Sequence, residues 1–412
     1  MKTAIISSTV GISNSVETDS YEAGKIIAQE AYDQVEPSEN MAALVFASIH
    51  YDTPKLIEGI QSVFGKKVQL FGCSTVGVMT RNHLAYQGHQ VAIALLSDPA
   101  SSFRLFLVPD VDKDEFKCGA KLADQVMAGS FTTDPSLLII YDSWKKKAAH
   151  ESPELNLATP ILEGFKSVYG RWPPLAGLGA WGDLVMLKPN HLIINNAVVE
   201  QSIIAMAISG NIKIDTMILH GTRPAGGYHT ITKAERNVIF EIDGQPALDV
   251  LGKLMGDKIP WEQFPLFITL GINRGEKFGE FHEEDYANRL CLAIDKENKA
   301  LVMFETDLRA GDEFQLMRRT IDKEYIGIAI EEKLATLDVD RLLFAFYIDC
   351  MGRRCDLSSM PFEEGKEVQK AIGDIPFLGM YSGVEIAKVG NEVQALDWTG
   401  VLCFFSETSN ED

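Results

Sequence analysis

The chain has 412 residues, 46% of them hydrophobic and 9% aromatic, and a formal net charge of -20. That length exceeds what one ordinary core accommodates, so two domains of a folded globular protein are expected. The acidic balance argues against nucleic acid or an anionic membrane as partner, because both are held by clustered cations, and no apolar run reaches the ~20 residues of a membrane-spanning helix.

Six cysteines, Cys73, Cys118, Cys291, Cys350, Cys355 and Cys403, occur without a C-x-x-C pair, which suits a reducing compartment. The N-terminus carries one lysine and only a three-residue apolar run, Ala4-Ile5-Ile6, so no signal peptide is read there. A cytoplasmic location is the expectation. Lys145-Lys146-Lys147 is the only tight basic run and reads as a solvated loop.

Residues 2–9 predict an opening strand, and the spacing of Tyr21, Gly24, Ile27, Ala28 and Ala31 predicts a helix over 20–32. A strand over 43–48, a helix over 53–64, a glycine turn over 68–77 and a strand over 90–96 follow. The same order recurs at 137–142, 159–169, 172–182 and 202–208, and again at 342–348, 363–372, 375–385 and 400–405. Aligning Gly72, Gly177 and Gly379 brings Val78, Asp183 and Glu385 into register. The fold class expected is therefore α/β, with mixed-sheet layered domains and internal strand, helix, glycine turn, strand repeats; chance likeness is the plain alternative.

Between these units lie a strand over 103–108, a helix over 116–127 and a strand over 213–219. The breaker-rich stretch Gly221-Thr-Arg-Pro-Ala-Gly-Gly227 reads as a linker, which divides the chain into domains 1–222 and 223–412. Beyond it come strands over 228–231 and 237–242, a helix over 247–255 behind Pro246, and strands over 266–270, 288–294, 300–305 and 314–319. The polar turn 295–298 predicts a hairpin. A helix over 321–335 precedes the third unit, and the polar tail 407–412 is expected to fray.

The candidate site joins Asp349, Cys350 and Arg353 to Tyr381, Ser382 and Glu385. Neighbouring strand ends would open both loops on one sheet edge, where α/β proteins hold ligands. A guanidinium presents a planar fork to a carboxylate and a carboxylate receives an ammonium, so Arg353 with Glu385 would suit a zwitterion. The alternative is that the two pair with each other. Arg289 has apolar period-2 neighbours, Cys291 and Ala293, and is expected to point inward, which demands an acidic partner or a ligand. Arg318, beside Arg319, could reach an anionic ligand or stay exposed.

Other chemistry finds less to stand on. Cys350 has no histidine in its motif to lower a thiol pKa, and Gly72-Cys73-Ser74 lacks both a base and the G-x-S-x-G elbow. The G-x-G-x-x-G match at 177–182 runs on into extended chain instead of opening a helix. The eight histidines never fall into H-E-x-x-H or H-x-H spacing, and His282-Glu283-Glu284-Asp285 reads as a solvated face, so neither a metal nor another cofactor is expected.

Five stretches in order resemble the FIST C-terminal domain: Ile242-Asp-Gly-Gln-Pro-Ala-Leu-Asp-Val250, Ala287-Asn-Arg-Leu-Cys-Leu-Ala-Ile-Asp295, Gly311-Asp-Glu-Phe-Gln-Leu-Met-Arg318, Cys350-Met-Gly-Arg353 and residues 379–385. Phe71-Gly-Cys-Ser-Thr-Val-Gly77 resembles the FIST N-terminal domain. The resemblance implies an intracellular sensory module for small polar metabolites such as amino acids, wired to signalling output. Two positions depart from the family pattern: Val384 stands where a glycine usually precedes the glutamate, and Val78 where an acid is common. No kinase, cyclase or methyl-accepting segment accompanies the two domains, so a separate signalling partner is expected. The alternatives are an enzyme using Cys350 as nucleophile on a small acyl or amino-acid derivative, and a ligand-free scaffold whose acidic surface meets a basic partner.

Overall fold

The computed structural model describes residues 9–145, 154–256 and 259–408. The strand expected at 2–9 falls outside these residues except for Thr9, as do Lys146, Lys147 and the tail beyond 408. Among the described residues the first strand is Val10–Ser15.

Three apolar runs, Met41–Ala47, Ser136–Asp142 and Leu342–Cys350, are buried at nearly every position, as strands covered on both faces must be. Each leads through a helix (Thr53–Phe64, Ala158–Tyr169, Glu364–Ala371) to a parallel return strand. The return strands are Gln69–Ser74, Leu175–Ala180 and Phe377–Ser382, paired in turn with the three runs. On its other side each run pairs antiparallel with Val91–Ser97, Ser202–Ser209 or Gly400–Glu407. These three pair outward with Val10–Ser15, Ser102–Pro109 and Ile212–Leu219. One strand order and one set of pairing senses therefore serve all three stretches.

The segments expected to be glycine turns are these return strands. Their apolar residues are buried between layers, and the glycine inside each serves close packing instead of reversal: a Cβ on Gly72 would stand 1.8 Å from the Val45 carbonyl oxygen.

Past each return strand the chain crosses to another unit. Val78–Thr80 pairs with Phe377–Ser382, Leu192–Ile194 with Gln69–Ser74, and Val384–Val389 with Leu175–Ala180, all antiparallel. Each unit thus completes the sheet of another in a closed ring. In consequence, two of the sheets combine strands from both sides of residue 222.

The stretch 221–227 is no linker. It opens the long strand Thr222–Glu235, where a register shift between Pro224 and Tyr228 absorbs the glycines as a bulge. This strand pairs with Glu313–Arg319 on one side and Val238–Ile242 on the other. Through Thr269–Asn273, Tyr286–Asp295 and Ala300–Met303 the sheet closes on itself as a barrel. The expected strand at 266–270 begins later because Leu266 turns the chain at φ 61°. The helix expected from 321 begins at Glu324, whose N–H donates to the Asp322 carboxylate at 3.0 Å.

Helices pair across the outside. Ser20–Tyr32 is capped by Asp19, which accepts from Glu22 N–H, and Thr53–Phe64 by Asp52, which accepts from Lys55 N–H. They cross where neither can carry a Cβ: one on Gly24 would lie 2.2 Å from the Leu56 carbonyl oxygen, and one on Gly59 2.0 Å from that of Tyr21. No helix among the described residues is long and apolar enough to cross a membrane. Gly59→Ala is expected to wedge the two helices apart and cost ~1–3 kcal/mol, read as a lower urea midpoint at unchanged slope.

Candidate functional site

Strand Leu342–Cys350 ends on Asp349 and Cys350, and the helical turn Met351–Arg353 folds Arg353 back against it. Arg353 is 1% exposed. Its Nε stands 3.1 Å from Asp349 Oδ1 as an ion pair without hydrogen-bond alignment. Nη2 pairs with Glu364 at the start of the next helix, and Nη1 donates to the carbonyls of Leu219 at 2.7 Å and Trp398 at 3.1 Å. The fork is full.

Glu385 is completely buried and accepts one hydrogen bond, from Ser382 Oγ at 2.7 Å; its Oε2 has no partner among the described residues. Burial, reinforced by the charges of Asp349 and Asp397, pushes its carboxyl well above the ordinary range. Burial likewise lifts Asp349 to about 6, with Arg353 pulling the other way. The Cys350 thiol is driven well up by burial and then by the Glu385 charge, which withholds the thiolate that a nucleophile needs.

Arg353 and Glu385 therefore do not meet around a guest. The acid that Arg353 takes is Glu364, brought in by the helix, and Glu385 is closed off by Ser382. Tyr381 is buried too, its hydroxyl donating to Glu363 at 3.1 Å and its carbonyl accepting from Thr75 Oγ1 at 2.7 Å. Asp349, Cys350, Arg353, Tyr381, Ser382 and Glu385 are brought together, but inside packed protein, and none lines the cavities described here.

Arg289 lies elsewhere, on the barrel strand Tyr286–Asp295, and is 1% exposed. Its Nε donates to both Asp307 oxygens at 2.8 and 3.0 Å, and its Nη1 to the Ala395 carbonyl at 2.8 Å. Against the cost of burial, Arg289 holds the Asp307 carboxyl below its ordinary range. The pair floors a cavity of about 330 Å³ walled by Arg274, Lys166, Trp172 and Gln394. Lys166 Nζ stands 5.0 Å from the Trp172 ring centroid, a cation–π contact, and Arg274 is exposed with one long hydrogen bond, 3.4 Å, to Gln394. Glu163 and Glu392 add negative charge. Arg318 is exposed on Glu313–Arg319 and takes no part in this cavity.

Sequence reasoning missed Asp307, Arg274, Lys166 and Glu305. Glu305 is buried behind the barrel strand Ala300–Met303, and its carboxylate accepts from the N–H groups of Ala158 at 3.1 Å and Thr159 at 3.0 Å. It caps the helix Ala158–Tyr169, whose N-cap residue, Leu157, offers no side-chain acceptor. A helix start with leucine at its cap was the legible signal that a distant acceptor must serve.

Arg353→Ala would leave Asp349 and Glu364 buried without their cation, and a loss of ~3–5 kcal/mol is expected in chemical denaturation. Burial and the Asp397 charge raise Glu305 from 4.5 to about 7. With the folded value above the unfolded one, the unfolded chain releases this proton first. Its contribution to stability is complete below the unfolded value and falls as pH rises to about 7. Glu305→Gln should make the loss of stability between pH 4.5 and 7 smaller than in the wild type, measured by urea melts across that range.

Residues 41–245 match the FIST N domain and residues 247–388 the FIST C domain. The chain is also similar to an uncharacterized protein of Methanocaldococcus jannaschii, 24% identical over 374 residues that make up 83% of this chain and 69% of that protein. An uncharacterized protein of Mycobacterium tuberculosis is 24% identical over 196 residues, 46% of this chain and 50% of the relative. One of Mycobacterium bovis is 21% identical over 192 residues, with the same two shares. The paired domain matches take in most of the sequence, and the chain belongs to the FIST family, whose domains are signal-transduction sensor domains.

Proposed function

We propose that this protein senses a small zwitterionic metabolite, an amino acid or a close relative, in the cavity floored by Arg289 and Asp307, and passes occupancy to a separate signalling protein. The observation that carries the reading is the exposed guanidinium of Arg274 on a cavity of about 330 Å³ that also holds Glu163, paired with Arg309 at 3.2 Å, and Glu392, paired with Lys166 at 3.8 Å, a volume in the range of small-molecule sites. The guanidinium of Arg274 makes no ion pair among the described residues, although its charge helps lower the Asp307 carboxyl, so its fork is open to a carboxylate. Glu163 and Glu392 would share their charge between an ammonium and their present partners, Arg309 and Lys166, and the Trp172 ring would take an apolar side chain. Arg289, already balanced by Asp307, acts as a rigid floor and not as the anion receptor.

A ligand here would touch Lys166 and Trp172 from the N-domain match and Arg274 from the C-domain match, which gives occupancy a way to couple the two. We read the three stretches with one strand order as an internal repeat, and the six free cysteines as fitting a cytoplasmic location.

Isothermal titration against the common amino acids and small dicarboxylates tests the site. At least one compound is expected to bind, and Arg274→Ala to weaken it about tenfold or more with the melting temperature unchanged, since the residue is exposed. A silent panel, or equal affinity in the variant, would remove this reading.

A further inference from the structure

Strand Ile212–Leu219 is paired on one side only, with Gly400–Glu407. Its outer edge can be sorted residue by residue, because an antiparallel ladder alternates inward and outward backbone groups. Thr408 N–H donates to the Asn211 carbonyl at 2.7 Å, so odd-numbered residues face the partner strand and even-numbered ones face away. The outward N–H groups of Ile212 and Ile214 are taken by the hydroxyls of Ser101 and Ser136, both at 3.1 Å. Just past the strand, His220 N–H is taken by Glu283 at 2.5 Å. Between these capped positions, Thr216 and Ile218 make no outward backbone bond among the described residues.

Both lie in a groove. A cavity of about 600 Å³ includes Thr216, Ile218, Lys166 and Lys388, and one of about 610 Å³ includes Ile218, Asp322 and Glu332. Met217, Ile218, Glu284 and Lys333 line both. An uncovered strand edge offers donors and acceptors at the spacing of another strand.

We propose that this groove docks an extended peptide segment of a partner protein, which joins the sheet through the outward backbone groups of Thr216 and Ile218. The lining charges set the chemistry of that segment. The cavity past Ile218 sets Glu283, Glu284, Asp322 and Glu332 against Arg223 and Lys333 and so calls for a basic residue, while the one at Thr216 balances Lys166, Lys333 and Lys388 with Asp215, Glu284 and Asp285. Alternate side chains of the segment would point down between them and the rest outward to solvent. This docking does not depend on the metabolite cavity, although Lys166 and Trp172 border both spaces.

The test is fluorescence anisotropy with a labelled heptapeptide, Glu-Val-Thr-Val-Thr-Val-Lys, and with its reversed sequence, since either strand direction can pair. One of the two should bind. Thr216→Pro removes an outward N–H while leaving the ladder to Gly400–Glu407 whole, and should weaken binding about tenfold or more with the melting temperature retained. N-methylation of alternate peptide amides should do the same, and this arm decides the matter alone if the proline variant does not fold. Three outcomes overturn the proposal: neither peptide binds at about 1 mM; binding is indifferent to both the variant and N-methylation; or sedimentation reveals a dimer that Thr216→Pro dissolves, which would make a second copy of this chain the occupant.

Discussion

Every backbone donor and acceptor brought into the interior must find a partner, and in this protein that requirement is met by exchange. A short buried return strand such as Gln69–Ser74 satisfies one side with its own unit and would leave the other side bare. The crossing strands close that gap: Leu192–Ile194 covers Gln69–Ser74, Val384–Val389 covers Leu175–Ala180, and Val78–Thr80 covers Phe377–Ser382. The meeting point is tied further by side chains and loops, with Thr75 bridging to Trp181, its hydroxyl donating to the Tyr381 carbonyl, and Gly383 N–H donating to the Gly179 carbonyl at 2.9 Å. No unit can be lifted out without stripping another.

Buried charge follows the same logic. Arg353 ties the end of one strand to the helix that follows it through Asp349 and Glu364, and reaches across to the Leu219 and Trp398 carbonyls. Arg289 binds Asp307 within the C-domain match while donating to Ala395 beyond it. Glu305 leaves the barrel to hold the first turn of a helix from the N-domain match. These groups are costly to bury and are tolerated because each is matched, so they specify one docking of barrel on sheets more than they add stability. The acid left half-satisfied, Glu385, is the one whose carboxyl burial pushes well above the ordinary range.

Much of this was legible in advance where one local signal sufficed. The helix Ser20–Tyr32 follows from its apolar spacing, and the inward aim of Arg289 follows from its period-2 neighbours. The return strands look like turns from sequence because a glycine in a short apolar run signals a bend unless the packing above it is known. The bulged strand through Gly226 and Gly227 resembles a linker in sequence for a similar reason. The partner of Arg353 could not be chosen from sequence, since Glu364 and Glu385 are both acids at plausible places and only the helix direction separates them. Asp307 was hidden because it reaches Arg289 from a loop with no periodicity. A fuller sign of likeness between the units was present in Thr53-Pro-Lys-Leu-Ile-Glu-Gly59 and Thr159-Pro-Ile-Leu-Glu-Gly164, where the glycine marks the helix crossing: a Cβ on Gly164 would lie 2.0 Å from the Phe116 carbonyl oxygen, as one on Gly59 does from Tyr21.

The pairing of Val78–Thr80 with Phe377–Ser382 bears on how the chain is born. The former leaves the ribosome about 300 residues before the latter, so an adhesive β-segment stays single for on the order of tens of seconds at cellular elongation rates. Loop-closure entropy then makes the final join slow even once both partners exist. A nascent chain of this kind needs shelter from its neighbours on the polysome, and that need arises from the topology alone, whatever the mature protein senses.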